Sequence, residues 1–210
     1  MNYVDLVIQL SDALMRPLPG AAAQGLMAPR PRGTWPDTPE PTYRAAAGLL
    51  LVYPRETLAH VLLTVRSRHV RHAGQVSMPG GVVEPGESIV EAALRETHEE
   101  VAFADADVRV LGQLSPVDIA VSGFRLHPVV ATIDRAPTFQ PADREVARIL
   151  EVPVSNLLDP ARLEEHPMTR GRVDLIAPAF VLEEVVVWGA TAMVLAEFLA
   201  LTGWRGPTRS

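Results

Sequence analysis

Hydrophobic positions recur at helical spacing near both ends of the chain and form strand-length runs between them. The first stripe, within residues 2–15, predicts a short amphipathic helix and consists of Val4, Leu6, Val7, Leu10 and Leu14. Apolar runs at 43–53 and 58–66, joined by a polar turn, predict a β-hairpin. Further strands are predicted at 108–114, 125–133, 146–152, 173–176 and 180–187. Because strands and helices are interspersed, the pattern favours a sheet covered by helices.

Prolines recur throughout the segment that links the first helix to the hairpin. They stand at Pro17, Pro19, Pro29, Pro31, Pro36, Pro39 and Pro41. Since proline disfavours helix interiors and central strands, this segment is predicted to be an extended arm or loop. The chain therefore divides into a helix and proline-rich arm at 1–41, a compact domain at 42–204 and a tail at 205–210.

Residues 88–103 predict a second amphipathic helix that carries an acidic face. Ser88 and Glu91 form a Ser-x-x-Glu capping box, so the helix should begin at Ser88. At 100° per residue, Glu96, Glu99 and Glu100 share an arc of about 100°. Like charges at that spacing cost a few tenths of a kcal/mol unless something offsets them. A solvated acidic surface is one interpretation, and a divalent cation held by carboxylate oxygens is the other.

The residues before this helix favour the cation. Gly80 and Gly81 have no side chain, so a backbone carbonyl there can approach a metal ion. Glu87 stands just before the cap and can pair with Arg95, which would hold the loop against the helix. Taken alone, the two glycines indicate only a turn.

Together these residues resemble the Nudix box, G-x5-E-x7-R-E-U-x-E-E-x-G-U, where U is aliphatic. Six fixed positions match: Gly81, Glu87, Arg95, Glu96, Glu99 and Glu100. The departures are Thr97, Ala102 and Phe103, and none of them removes a carboxylate.

The resemblance implies an α/β/α sandwich with a mixed sheet and hydrolysis of a diphosphate bond in a nucleotide derivative. It further implies Mg²⁺ or Mn²⁺ held by Glu96, Glu99, Glu100 and the Gly80 carbonyl. Glu99 or Glu145 would accept the proton of the attacking water. Gly81, Glu87 and Arg95 would support the site structurally.

A narrower resemblance is to the coenzyme A pyrophosphatases of this family. It is carried by the segments 62–67, 72–75, 79–81 and 187–192. It implies that coenzyme A or acyl-CoA is cut to 3′,5′-ADP and (acyl-)4′-phosphopantetheine. Two departures are a spacing between Arg66 and Gly74 that is one residue shorter and Met78 in place of Phe. An ADP-ribose or NADH pyrophosphatase and a catalytically silent nucleotide-binding domain therefore stay open as alternatives.

The loop that follows residue 65 is basic and lies beside the acidic segment in sequence. It contains the predicted substrate-binding residues Arg66, Arg71, His72 and Gln75. Arginine side chains bind phosphate oxygens with two parallel hydrogen bonds, so the loop is a candidate phosphate anchor. A solvated charged loop is the plainer interpretation.

Charge and composition exclude several other classes. The formal net charge of −6 argues against a nucleic-acid partner, and the absence of cysteine excludes disulfides and thiolate zinc sites. No basic segment precedes an apolar one at the start, so no secretory signal is predicted and a cytoplasmic location is expected. Residues 185–204 contain one charge, Glu197, but a strand end and a buried helix at 190–201 are favoured over a membrane span. A small-molecule partner is expected, and a homodimer is expected by analogy alone.

Overall fold

A computed structural model describes residues 1–31, 43–68, 73–104, 106–142, 144–170 and 173–207. The helices are α1 Tyr3–Leu14, α2 Gly20–Gln24, α3 Ile89–Val101, α4 Val154–Leu158 and α5 Ala190–Ala200. The strands are β1 Arg44–Arg55, β2 Leu58–Arg66, β3 Val76–Ser77, β4 Gly80–Val82, β5 Arg109–Gln113, β6 Val117–Ile119, β7 Phe124–Thr132, β8 Val146–Pro153, β9 Leu163–Arg170, β10 Val173–Leu182 and β11 Val185–Val187. The predicted first helix, hairpin and acidic helix are confirmed within a few residues at their ends.

The main sheet is mixed. Its strand order is β3-β2-β1-β7-β5, with β4 on β1, β6 on β7 and β8 on β2. β1 and β7 run parallel over nine paired rows without a register shift, whereas the other pairings are antiparallel. The parallel rows matter for the site, because paired residues point to the same face of the sheet.

Side chains of β1 alternate between two hydrophobic clusters. Leu50 and Val52 pack with α1 and α5 on one face, whereas Leu49 and Leu51 pack under α3 on the other. All four side chains are fully buried. Helices therefore cover both faces of the sheet, which confirms the predicted α/β/α sandwich.

The prediction of an extended arm over 16–41 is wrong in its described part. Residues Gly20–Gln24 form α2, and a 3₁₀ turn follows at Gly25–Met27. Pro19 occupies the N-cap of α2, where its missing N–H costs no helical hydrogen bond. The prolines thus bound the short helix without interrupting it. Residues 32–42 lie outside the described ranges.

A smaller sheet follows, with strand order β11-β10-β9. The sequence predicts two late strands where β10 is continuous, because Pro178 lies between two alanines and proline is rare inside strands. β9 was not predicted at all, since its residues LEEHPMTR combine charges with a proline. Such a composition is typical of an edge strand that resists pairing with other chains.

The apolar C-terminal segment forms a buried helix, as predicted. α5 spans 11 residues, and within the described ranges no helix has the length and apolarity needed to cross a bilayer. Glu197 of α5 is fully buried, and its carboxylate accepts hydrogen bonds from the Gly20 N–H, the Gln24 amide and the Ser115 N–H. This carboxylate ties α2 and the loop before β6 to α5.

Candidate active site

The acidic helix α3 begins and ends as its sequence predicts. The Ser88 side chain accepts the Glu91 N–H at 3.2 Å, and the Glu91 carboxylate accepts the Ser88 N–H at 2.8 Å. Both halves of the capping box are present, which fixes the first turn. The helix is therefore held at its N-terminus, about two turns before the carboxylates.

The three departures from the box affect packing alone. Thr97 is buried, and its hydroxyl donates to the Ala93 carbonyl at 2.7 Å. Ala102 ends the helix in the left-handed conformation with φ 52°, the geometry that usually favours glycine. Phe103 is buried in the cluster beneath the helix. Each departure is accommodated locally, by burial or at the end of the helix.

The predicted carboxylates differ in exposure. Glu96 is 19% exposed and Glu100 is 5% exposed, whereas Glu99 is 53% exposed. Burial raises the pKa of Glu96; hydrogen bonding and charge from Arg95 oppose that rise, and the negative charges of Glu99 and Glu145 add to it. Glu96 therefore lies where negative charge is disfavoured and where a cation would be stabilising.

Arg95 connects the loop before α3 to two of the carboxylates. Its Nε and Nη2 donate to both oxygens of Glu87 at 2.8 and 3.0 Å, and Nη2 also donates to the Val82 carbonyl. Its Nη1 donates to Glu96 at 2.9 Å and to Glu99 at 3.2 Å. The hydrogen bonds from Arg95 lower the pKa of Glu87. The pairing of Glu87 with Arg95 is thus present as predicted, and the same guanidinium also orients Glu96.

The two glycines of β4 allow close approach in different directions. A Cβ on Gly81 would lie 2.4 Å from the carboxyl carbon of Glu96. A Cβ on Gly80 would lie 2.2 Å from the carbonyl oxygen of Ala47 in β1. Gly81 therefore makes room for the carboxylate, and Gly80 makes room for the neighbouring strand.

We expect Gly81→Ala and Gly80→Ala to separate function from stability. The Glu96 side chain can rotate away from a methyl group, so Gly81→Ala should keep its fold but lower activity about tenfold by displacing the carboxylate. The Ala47 backbone cannot move so freely, so Gly80→Ala should cost about 3 kcal/mol of stability. Thermal unfolding and steady-state rates of both variants check this. Equal stability losses in the two variants would contradict it.

A second group of predicted residues lies next to the carboxylates. Arg66 Nη2 lies 3.7 Å from Glu145 Oε2, and the Ser67 N–H donates to the Glu145 carbonyl at 2.7 Å. Gln75 accepts the Arg66 N–H through its carbonyl at 2.9 Å, which closes the base of the loop. Because Glu145 raises the pKa of Glu96, the basic loop and the acidic helix border one site. The predicted residues Arg71 and His72 lie outside the described ranges.

The comparisons with known proteins agree with this geometry. The NUDIX domain family model matches residues 42–171. The chain belongs to the Nudix family. A NudL protein from Yersinia enterocolitica, named an uncharacterized Nudix hydrolase, is 41% identical over 144 residues, covering 68% of this chain and 72% of that protein. A protein of the same name from Escherichia coli strain SMS-3-5 is 37% identical over 162 residues, covering 75% and 82%.

Solved structures agree on the fold. A MutT/nudix family protein from Enterococcus faecalis superposes with a TM-score of 0.50 at 16% identity, covering 80% of this chain and 64% of that one. At that identity the likeness shows the fold alone. The family match and the NudL relatives identify the chain as a Nudix hydrolase acting on diphosphate bonds of nucleotide derivatives.

Nudix enzymes generally use divalent cations, and the donor chemistry of this site suits them. The side chains around Glu96 offer carboxylate oxygens and Gly80 offers a backbone carbonyl, and oxygen ligands of this kind are those that Mg²⁺ and Mn²⁺ prefer. In the described part of the chain, no three acidic or histidine side chains are arranged to hold an ion. Arg95 Nη1 donates to both Glu96 and Glu99, which holds these two carboxylates close together.

Polar residues of β7 that the sequence analysis did not single out share the α3 face of the sheet with Gly81. Gly81 pairs with Ala47, and Ala47 pairs with His127 of β7, so these residues form one row on the α3 face. Burial lowers the pKa of His127, and the charge of Arg125 adds to that effect. The alternation of polar Arg125 and His127 with apolar neighbours is the signal in the sequence. This alternation can be interpreted only once β7 is known to lie beside β1.

Proposed function

We propose that this Nudix hydrolase uses Mg²⁺ or Mn²⁺ to cut coenzyme A or acyl-CoA into 3′,5′-ADP and (acyl-)4′-phosphopantetheine. The single observation that carries the proposal is the contact between the acidic and basic groups around Glu145. Arg66 lies 3.7 Å from that carboxylate, and the same carboxylate raises the pKa of Glu96. A group that binds phosphate thus borders a group that binds cations.

Each side chain has a defined role in the proposal. Glu96, Glu99, Glu100 and the Gly80 carbonyl hold the cation, which supplies positive charge to the diphosphate and makes nearby water more acidic. Arg95 orients Glu96 from the loop side. Glu99 or Glu145, the two exposed carboxylates, accepts the proton of the attacking water. No covalent intermediate is required.

Arg66 supports the choice of coenzyme A over simpler dinucleotides. Coenzyme A carries a 3′-phosphate in addition to its diphosphate, so its binding needs more positive charge than ADP-ribose needs. Arg66 is partly exposed, at 26%, so a phosphate can reach its guanidinium from solvent. Gln75, on the opposite side of the loop base, is the next neighbour that can contact the same ligand.

The test is incubation of the protein with Mg²⁺ or Mn²⁺ and coenzyme A, acetyl-CoA, ADP-ribose or NADH, followed by chromatography of the products. We expect 3′,5′-ADP and the matching phosphopantetheine, with the highest kcat/KM for a coenzyme A substrate. Preference for ADP-ribose or NADH would overturn the substrate assignment. Binding without turnover of any substrate would identify a silent nucleotide-binding domain.

Arg66→Ala should raise KM for coenzyme A about tenfold, because a charge-assisted pair with phosphate is lost. Because Arg66 would contact a part of the substrate that is remote from the reacting phosphorus, kcat should change little. Arg148→Ala is the matched control, because Arg148 lies on β8, on the opposite face of the sheet, and pairs with Glu184. Unchanged KM in Arg66→Ala, or an equal rise in the control, would contradict the phosphate-anchor role.

A further inference from the structure

A cluster of polar side chains lies on the α3 face of the sheet, on the far side of β1 from Gly81. It consists of Tyr43, Asp118, Arg125 and His127, and none of these residues belongs to the Nudix box. Three independent observations place Arg125 and His127 on that face. Val129 and Ala131, two and four residues after His127, pack under α3. Ala47, the row partner of His127, is in the same cluster. Gly81, the other partner of Ala47, faces Glu96.

The planar guanidinium of Arg125 is held in one orientation by its neighbours. The Asp118 carboxylate accepts two hydrogen bonds from Arg125, one from Nε at 2.6 Å and one from Nη2 at 2.9 Å. Tyr43 lies against the guanidinium, with 5.5 Å between the ring centroid and Cζ. Asp118 also pairs with Arg125 in the β6–β7 ladder, so backbone and side chain fix the same geometry. About half of the Arg125 side chain is still exposed.

This arrangement suits a planar, uncharged ring better than a phosphate. The charge of Arg125 is already balanced by Asp118, and its hydrogen-bonding edge is occupied, so little remains for an anion. A guanidinium plane with an aromatic ring on one side can stack a heterocycle on the other. His127, two residues along the strand, has a pKa lowered by burial and by Arg125. Its neutral ring offers one donor and one acceptor.

The distance to the acidic site fits one nucleotide. His127 lies two strands from Gly81, which is about 10 Å at the spacing of a β-sheet. That reach resembles the span from the diphosphate of a nucleotide to its base. The intervening β1 residues Ala45 and Ala47 place no bulky side chain between the two positions.

We propose that Arg125 on Tyr43, with His127 beside it, is the nucleobase subsite of this enzyme. The base stacks on the guanidinium plane, and His127 contacts its polar edge. Asp118 is a positioning residue that fixes the orientation of the guanidinium plane. The proposal rests on the proposed function, since the subsite serves the nucleotide part of the same substrate.

The test is calorimetric titration of the whole protein, without metal, using AMP and, as a base-free probe, ribose 5-phosphate. Arg125→Met keeps Tyr43 covered but presents no planar face, so Kd for AMP should rise about tenfold. His127→Ala should raise it about fivefold through a lost hydrogen bond. Ribose 5-phosphate binding should not change in either variant. The control is Arg109→Met, which removes a comparable Arg–Asp pair at the other end of β7.

Three results would overturn the subsite. The first is an equal rise in Kd for AMP and for ribose 5-phosphate, which would make Arg125 a phosphate anchor. The second is unchanged AMP binding in both variants. The third is absence of AMP binding by the unaltered protein. The diphosphate hydrolysis assay is separate. If that assay fails while the variants lose AMP selectively, the subsite stands and the proposed reaction falls.

Discussion

Replacing Glu96 with Gln is expected to lower kcat about 10³-fold, because removing a carboxylate ligand forfeits several kcal/mol of charge stabilisation. Of the three helix carboxylates, Glu96 alone combines low exposure, contact with Gly81 and a pKa raised by burial. The variant should also lose its response to metal. Mn²⁺ at about 100 times its Kd should raise the Tm of the unaltered protein by roughly 8 °C and leave that of Glu96→Gln nearly unchanged.

In the presence of a chelator, when no metal is bound, Glu96→Gln is expected to stabilise the protein. Because the pKa of Glu96 is raised on folding, its contribution to stability is present below the ordinary pKa of a glutamate and is lost as pH rises through the folded pKa. Gln removes that pH-dependent loss. At neutral pH the metal-free variant should therefore melt at a higher temperature than the metal-free unaltered protein.

Glu84→Gln is the control for both measurements, because Glu84 is exposed in the loop before the same helix. It should leave kcat and the metal response unchanged. Full activity of Glu96→Gln, or a Mn²⁺-induced rise in its Tm equal to that of the unaltered protein, would remove Glu96 from the site.

The second large effect is expected at Glu197, far from the carboxylates of α3. Glu197→Ala would leave three buried or partly buried donors without this acceptor, namely the Gly20 N–H, the Gln24 amide and the Ser115 N–H. Loss of a buried acceptor for several donors costs about 3 kcal/mol, which lowers Tm by roughly 9 °C in a chain of this size. Urea unfolding followed by circular dichroism measures the change.

The comparison for Glu197 is Glu164→Ala, since Glu164 is an exposed glutamate on β9. Its effect should stay within about 0.5 kcal/mol. A loss below about 1 kcal/mol in Glu197→Ala would mean that water replaces the carboxylate at little cost.

Local patterns account for most of what the sequence predicted correctly. The cap at Ser88, the carboxylate face of α3 and the pairing of Glu87 with Arg95 each depend on residues within one or two helical turns. The spacing of apolar residues also predicted α1, the β1–β2 hairpin and α5, because each of these elements buries one continuous apolar pattern.

The features that were missed depend on residues distant in sequence. α2 is stabilised by Glu197, more than 170 positions away, and nothing within residues 16–31 predicts that partner. β9 exists because β10 pairs with it, although its own composition disfavours a strand. Likewise, His127 shares a row with Ala47 and Gly81 only through the parallel pairing of β1 and β7. Pairings of this kind cannot be read from periodicity.

The N-terminal helix has a practical consequence for producing shorter forms of the protein. The family match begins at residue 42, yet Leu6 and Leu10 of α1 are fully buried against the sheet, and Tyr3 hydrogen-bonds to Thr132. An expressed fragment trimmed to 42–171 would uncover that side of the sheet and also lack α5. A bare apolar surface of that size promotes aggregation, so the catalytic fragment should be cut outside both helices.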